Sequence, residues 1–216
     1  MEKALAVKAE KERIADQLTP SPDAPKGQGA AVPAATDPAM SFHMRGFFDK
    51  LKAATTSPRI LKNTLGKRDR GEPFQDLPKD GALLVGFEIT KGDWFGAQLL
   101  RSVQPIYLTP AGKIRGTAYG KPGGDPSIIE ARDGYAVGAA TLRDGDFLWT
   151  LELTFMKIDA FHKNLDRKDS YNSEVKGDTV KHTDKPKIHG GDGAPIIGIF
   201  GYAKEEINSF GFIQAP

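Results

Sequence analysis

Four histidines (His43, His162, His182, His189), no cysteine and one His-Gly-Gly-Asp run at 189–192 are the residues that first invite a chemical reading. Without cysteine there is neither a thiolate nucleophile nor a thiolate metal site. No two histidines stand at i, i+4, the helical spacing that places two imidazoles on one metal. His182, His189 and Asp192 share a loop-rich stretch, where two solvated loop histidines are the simpler reading. A His-Gly-Gly run can aim backbone amides at an oxyanion, but no Gly-x-Ser-x-Gly nucleophile elbow accompanies it. The run GKPGGDP at 120–126 lacks the Lys-Ser/Thr ending and the following helix of a phosphate-cradling loop. Asp166 and Asp169, in LDRKDSY, read as a turn and a strand start. No catalytic constellation emerges, so the chain reads as a non-enzymatic protein with no cofactor and no metal. Binding chemistry remains. Trp94-Phe95 lies in the glycine-bounded stretch KGDWFGAQ, where aromatic rings stack on sugar faces or anchor partners. The competing role for Trp94 is to cap a core. Trp149 sits within an apolar run and reads as core.

The elements that would carry such residues differ along the chain. At 216 residues, the length fits one domain with tails. Residues 1–71 hold 13 Lys and Arg against 8 Asp and Glu, while 72–216 hold 17 against 20. The basic excess therefore belongs to the N-terminal part, and the rest carries no nucleic-acid signature. No apolar run reaches the roughly 18 residues of a membrane-spanning helix. The start, MEKALAVKAEKERIADQL, has no apolar segment of the signal-peptide kind, and nothing else points to a compartment. Residues 1–41 are expected to be a disordered or marginally helical tail and a Pro/Ala linker. Residues 42–71 read as a basic lead-in segment. There Phe47, Phe48 and Leu51 sit at helical spacing, which suits packing on a domain or contact with a protein or an anionic surface.

From Glu72 onward, short apolar runs alternate with Gly, Pro and Asp, the pattern of an all-β domain. Strands are expected near 82–90, 98–108, 113–119, 127–132, 134–142, 147–158, 169–176, 185–189, 194–201 and 206–214, with one or two more between 57 and 77. Within these runs one pattern recurs three times. Asp80-Gly81, Asp133-Gly134 and Asp192-Gly193 each precede an apolar run through Gly86, Gly138 and Gly198. A polar loop follows, then a small hydroxyl residue (Ser102, Thr150, Ser209) and alternating apolar residues. Asp-Gly supplies a tight turn, and the neighbours of each anchor glycine share one apolar face. A four-stranded sheet cannot cover that face alone. Three such sheets around one axis can, giving a β-prism of roughly 12 strands over residues 72–216. The alternative is a two-sheet β-sandwich.

The stretch GGDGAPIIGIFGYAKEEINSFGFI is similar to the last Greek key of the jacalin-related lectins, and GYAVGAATLRDGDFLWTLELTFMKID to their middle one. The resemblance covers roughly 74–215 and implies a β-prism that binds a carbohydrate or a glycosylated surface. In that family a Gly-x-x-x-Asp hairpin loop hydrogen-bonds the sugar beside a Gly-Gly turn. Here the loop reads Lys204-Glu205-Glu206-Ile207-Asn208, with Lys204 at the Gly position and Asn208 at the Asp position; the matching positions of the other repeats are Arg101 and Trp149. The implied ligand-binding residues are Gly190, Gly191, Asp192, Tyr202, Lys204 and Asn208, with Trp94 from the aromatic reading. The alternative function is a protein-interaction or structural module tethered by its basic N-terminal arm.

Overall fold

The computed structural model describes residues 42–61, 65–66, 71–144, 147–178 and 185–216. Expectations for residues 1–41 and for His182 lie outside them. The chain runs α1 (Phe42–Ala54), β1 (Arg59–Ile60), β2 (Leu65–Gly66), β3 (Glu72–Asp76), β4 (Leu83–Trp94), β5 (Ala97–Thr109), β6 (Gly112–Arg115), β7 (Tyr119–Gly120), β8 (Ser127–Glu130), β9 (Tyr135–Asp144), β10 (Leu148–Asp159), β11 (Asn164–Asn172), β12 (Lys176–Gly177), β13 (Lys187–Gly190), β14 (Ile196–Ala203) and β15 (Ile207–Gln214).

These strands form three antiparallel sheets of the same plan, ordered β6-β5-β4-β8, β11-β10-β9-β13 and β1-β15-β14-β3. In each, a short extra strand (β7, β12, β2) continues the edge beside the second long strand. The three Asp-Gly turns open β4, β9 and β14, with their glycines at φ 78°, 81° and 90°. Beyond them, the residues flanking each anchor glycine (Val85 and Phe87, Val137 and Ala139, Ile197 and Ile199) are all buried. They meet in one shared core, where Phe87, Phe210 and Phe212 lie with ring centroids 5.2–6.5 Å apart. This is a β-prism, not a two-layer sandwich.

The anchor glycines mark bulges that curl the sheets. Val85 is the extra residue between Leu84↔Tyr107 and Gly86↔Ile106; Ile197 holds the same place in the third sheet, and in the second the extra residue is the anchor Gly138 itself. A side chain on Gly86 would overlap the Ile129 carbonyl oxygen of β8, and one on Gly198 would sit 2.6 Å from the Asp76 carbonyl oxygen of β3. Close approach of the neighbouring edge strand requires glycine here.

Among the described residues before 72, α1, β1 and β2 pack against or pair with the prism. β1 and β2 both pair with β15, so the start of the fold completes the sheet that its end begins. α1 packs Phe47, Phe48, Leu51 and Ala54 into the shared core. The apolar stripe offered by the sequence is therefore used internally, leaving only the helix's outer face for other contacts. Among the described residues, three strands, not one or two, lie between 57 and 77; two-residue strands are too short to show a period of two. β11 begins at Asn164 rather than near 169. Its sequence, NLDRKDSYN, shows no clean alternation because only Leu165 is buried on this edge strand.

Leu51→Ala is expected to cost about 2–5 kcal/mol in denaturant unfolding, as for a core residue. Gly86→Ala should cost about 1–3 kcal/mol through overpacking against β8. A change under about 0.5 kcal/mol in either would contradict this packing.

Candidate functional site

The prism has two unlike ends. One carries the Asp-Gly turns and α1; the other carries the tips of the three long hairpins, β4–β5, β9–β10 and β14–β15. The structure divides the residues that the resemblance grouped together.

Gly190, Gly191 and Asp192 lie towards the turn end, where they hold backbone in place. The Gly191 amide donates to the Gly138 carbonyl (2.9 Å), and both glycines have positive φ. The Asp192 carboxylate accepts from Arg59 Nη2 on β1 (2.5 Å), from Gln214 Nε2 on β15 (2.7 Å) and from the Ala194 amide (3.1 Å). Gln214 is fully buried; its amide also donates to the Ala194 carbonyl (2.8 Å) and its Oε1 accepts from Arg59. Burial pushes the Asp192 carboxyl up, but the Arg59, Ala194 and Gln214 hydrogen bonds outweigh it and hold the group below its ordinary value. This cluster ties the first strand of the third sheet to its last.

Tyr202, Lys204 and Asn208 lie at the other end of β14, with Tyr202 six residues beyond Ile196, or about 20 Å along a strand. Ten positions separate Asp192 from Tyr202 in sequence, yet the extended strand carries them to opposite ends. The two groups therefore do not form one site.

At the hairpin end, a second bulge recurs in each sheet. Arg101 bulges opposite Thr90/Lys91, Trp149 opposite Asp144/Arg143, and Asn208 opposite Tyr202/Ala203. The next residue in each, Ser102, Thr150 or Ser209, pairs with the glycine of the short edge strand: Gly120, Gly177 or Gly66. Side chains on Gly120 or Gly177 would overlap the carbonyl oxygen of the bulge residue. One backbone device thus appears three times with three chemistries: a guanidinium, an indole and an amide.

Asn208 is only 5% exposed, and its Oδ1 is buried without a hydrogen-bond partner. A Cβ at Gly71 would stand 3.1 Å from that oxygen. Lys204 and Glu205 are exposed, and Tyr202 is half-buried. Glu205 ties this loop to the first sheet, its backbone carbonyl accepting from the Lys121 amide (2.8 Å) and its carboxylate lying 3.6 Å from Arg101 Nη2.

Trp94 is separate again. The β4–β5 ladder continues beyond the Arg101 bulge for four more pairs, to Trp94↔Ala97. There Ala97, Leu99, Phe147 and Trp149 form a small second core, with Trp94 4.9 Å from Phe147. Trp149 is 4% exposed, in keeping with a core residue, whereas Trp94 is 42% and Phe95 92% exposed. Phe95 takes φ 51°, which costs a non-glycine residue roughly 1–2 kcal/mol. Sequence reasoning marked the pair but did not single out Phe95. The signal was the neighbouring glycine, which with Phe95 makes a two-residue positive-φ turn.

The remaining candidates are structural. Asp169 accepts from Tyr135 Oη (2.6 Å) and lies 3.2 Å from Lys157 Nζ, while the Arg132 guanidinium lies over the rings of both Tyr135 and Tyr171. Asp166 accepts from the Lys168 amide (2.9 Å). His189 is buried, and His43 and His162 flank Phe161. Among the described residues, no group of three or more His, Cys, Asp or Glu could hold a metal ion. No described helix is long and apolar enough to cross a membrane.

No family model matches this chain, and no curated protein matches it. Solved structures do. A single-site variant of Malaysian banana lectin superposes with a TM-score of 0.52 at 18% identity, covering 74% of this chain and 99% of that one. A mannose-binding lectin from champedak gives 0.53 at 12% identity, covering 74% and 97%. An artocarpin–mannotriose complex gives 0.53 at 12% identity, covering 71% and 95%. The fold is the β-prism of the jacalin-related lectins.

The Asp192 cluster makes a pH prediction. A carboxyl lowered by folding adds stability above its unfolded pKa of about 3.9, and that stability is lost as pH falls. Asp192→Asn should therefore be less stable than wild type from pH 5 to 7, with the gap closing below about pH 4. The pair is half-exposed, so the gap should stay near or below about 1 kcal/mol. A gap that widens in acid would contradict this account.

Proposed function

We propose that this chain is a non-enzymatic carbohydrate-binding module that engages its ligand through the β14–β15 hairpin loop. The observation that carries this reading is the fold shared with lectins whose structures are described as mannose-binding or as a mannotriose complex. In this reading, Tyr202, Lys204 and Asn208 are the contacting side chains. Lys204 Nζ donates to a sugar oxygen, and Asn208 Oδ1, a buried acceptor lacking a donor, takes one from a hydroxyl. Reaching that oxygen requires the segment at Gly71 to shift. Gly190, Gly191 and Asp192 take no part, being at the other end and already engaged. Trp94 lies beyond the loop's reach. Such a shallow site is weak alone and gains strength by multivalency. A glycosylated surface is the matching partner.

A second reading is a protein-interaction or structural module that uses the prism as scaffold. The burial of Asn208 favours it, as does a lysine side chain at Lys204 where the lectin loop has glycine.

A glycan array probed with the full chain separates the two, and mannosides are the first ligands to try. The carbohydrate reading predicts binding that falls about tenfold in Asn208→Ala, the loss of roughly one hydrogen bond. A folded wild-type protein that binds no glycan would leave the scaffold reading standing.

A further inference from the structure

Phe95 is an anomaly at the apex of the β4–β5 hairpin. Phe95 and Gly96 take φ 51° and 76° between the paired residues Trp94 and Ala97. Two-residue turns of this kind favour Asn, Asp or Gly at the first central position. Here a phenylalanine occupies it, strained and 92% exposed, in a T-shaped contact with the 42%-exposed Trp94 ring, centroids 5.4 Å apart. Strain of this kind tends to persist where function requires it.

The apex is carried on the four ladder pairs beyond the Arg101 bulge and backed by Phe147 and Trp149, which are both 4% exposed. It also stands proud of the β14–β15 hairpin, while on its other side Phe147 at the tip of β9–β10 meets Trp94. Glu205, in the β14–β15 loop, meets Arg101, and the β4–β5 ladder extends four pairs further, about 13 Å.

The chemistry of the tip narrows its partner. At the apex itself, the Trp94 and Phe95 side chains carry one donor, the indole N–H, and no acceptor, so the tip offers little of the directional hydrogen bonding that a sugar needs. The neighbouring Asp93 Oδ1 accepts from the Gly96 amide (3.0 Å). The two rings together offer on the order of 300 Å². A stable protein interface takes roughly 800 Å² from each partner. The exposed charges along the extension, Lys91 and Asp93, balance, so nothing there selects an anionic surface. A bilayer interface asks for neither directional polar groups nor large area, and Trp beside Phe is the pairing suited to it.

We propose that the Trp94–Phe95 apex is an interfacial anchor that inserts into the headgroup region of a zwitterionic lipid bilayer. The anchor is independent of the carbohydrate reading. With the apex inserted, the β14–β15 loop would be held about 13 Å back from it, facing the membrane surface.

The test uses the full chain and sugar-free phosphatidylcholine vesicles, with flotation at physiological and at several-fold higher salt. Wild type is expected to float equally at both salt concentrations, with a blue shift in tryptophan emission from Trp94. Phe95→Asn should lower the partition coefficient by about tenfold or more, the loss of one buried aromatic ring. Its thermal midpoint should be unchanged or higher, because Asn suits the turn. Four results would overturn the proposal. They are no flotation of wild type, undiminished flotation of Phe95→Asn, flotation abolished by salt, or loss in Phe95→Asn of a self-association measured without lipid. Since the vesicles carry no sugar, failure here is distinct from failure of the glycan array.

Discussion

Each sheet of this protein has one apolar face and no means of covering it alone. The whole architecture follows from that constraint. Three sheets turn their buried faces, built around Phe87, Val137, Ile199 and their neighbours, onto a common interior. The bulges at Val85, Gly138 and Ile197 bend the ladders enough for this. Closure also requires the two ends of the fold to meet, since β1, β2 and β3 complete the sheet built on β14 and β15. The Arg59–Gln214–Asp192 cluster stands at that seam, and α1 adds its own apolar face to the core at the turn end.

A scaffold closed in this way leaves its two ends unlike. The turn end carries glycine turns, a helix and hydrogen-bonded polar clusters. At the hairpin end, the same backbone bulge recurs under Arg101, Trp149 and Asn208, while the side chains on it differ completely. Equivalent backbone with divergent side chains is how a repeated fold acquires distinct surfaces. Here one bulge is joined to a neighbouring loop through Glu205, one is sealed in a small aromatic core, and one holds a buried amide oxygen without a partner.

Much of this was legible in the sequence. The Asp-Gly turns, the apolar neighbours of Gly86, Gly138 and Gly198, and the small hydroxyl residues after the bulges are all short-range patterns that backbone geometry imposes directly. The equivalence of Arg101, Trp149 and Asn208 was legible through the lectin resemblance. Other features were hidden for definite reasons. Two-residue strands such as β1 and β2 carry no periodicity. β11 faces solvent and so shows no apolar alternation. The separation of Asp192 from Tyr202 depends on the chain running straight through β14, which nearness in sequence conceals. The exposure of Phe95 depends on a positive φ that its residue type argues against.

Native-state amide hydrogen exchange tests the mutual closure of the three sheets most directly. If each sheet is buried only by the other two, the slowest amides of β4 and β5, of β9 and β10, and of β14 and β15 should open with one common free energy, equal to that of global unfolding. A third sheet exchanging through a separate, markedly easier opening, with the other two still protected, would contradict the account.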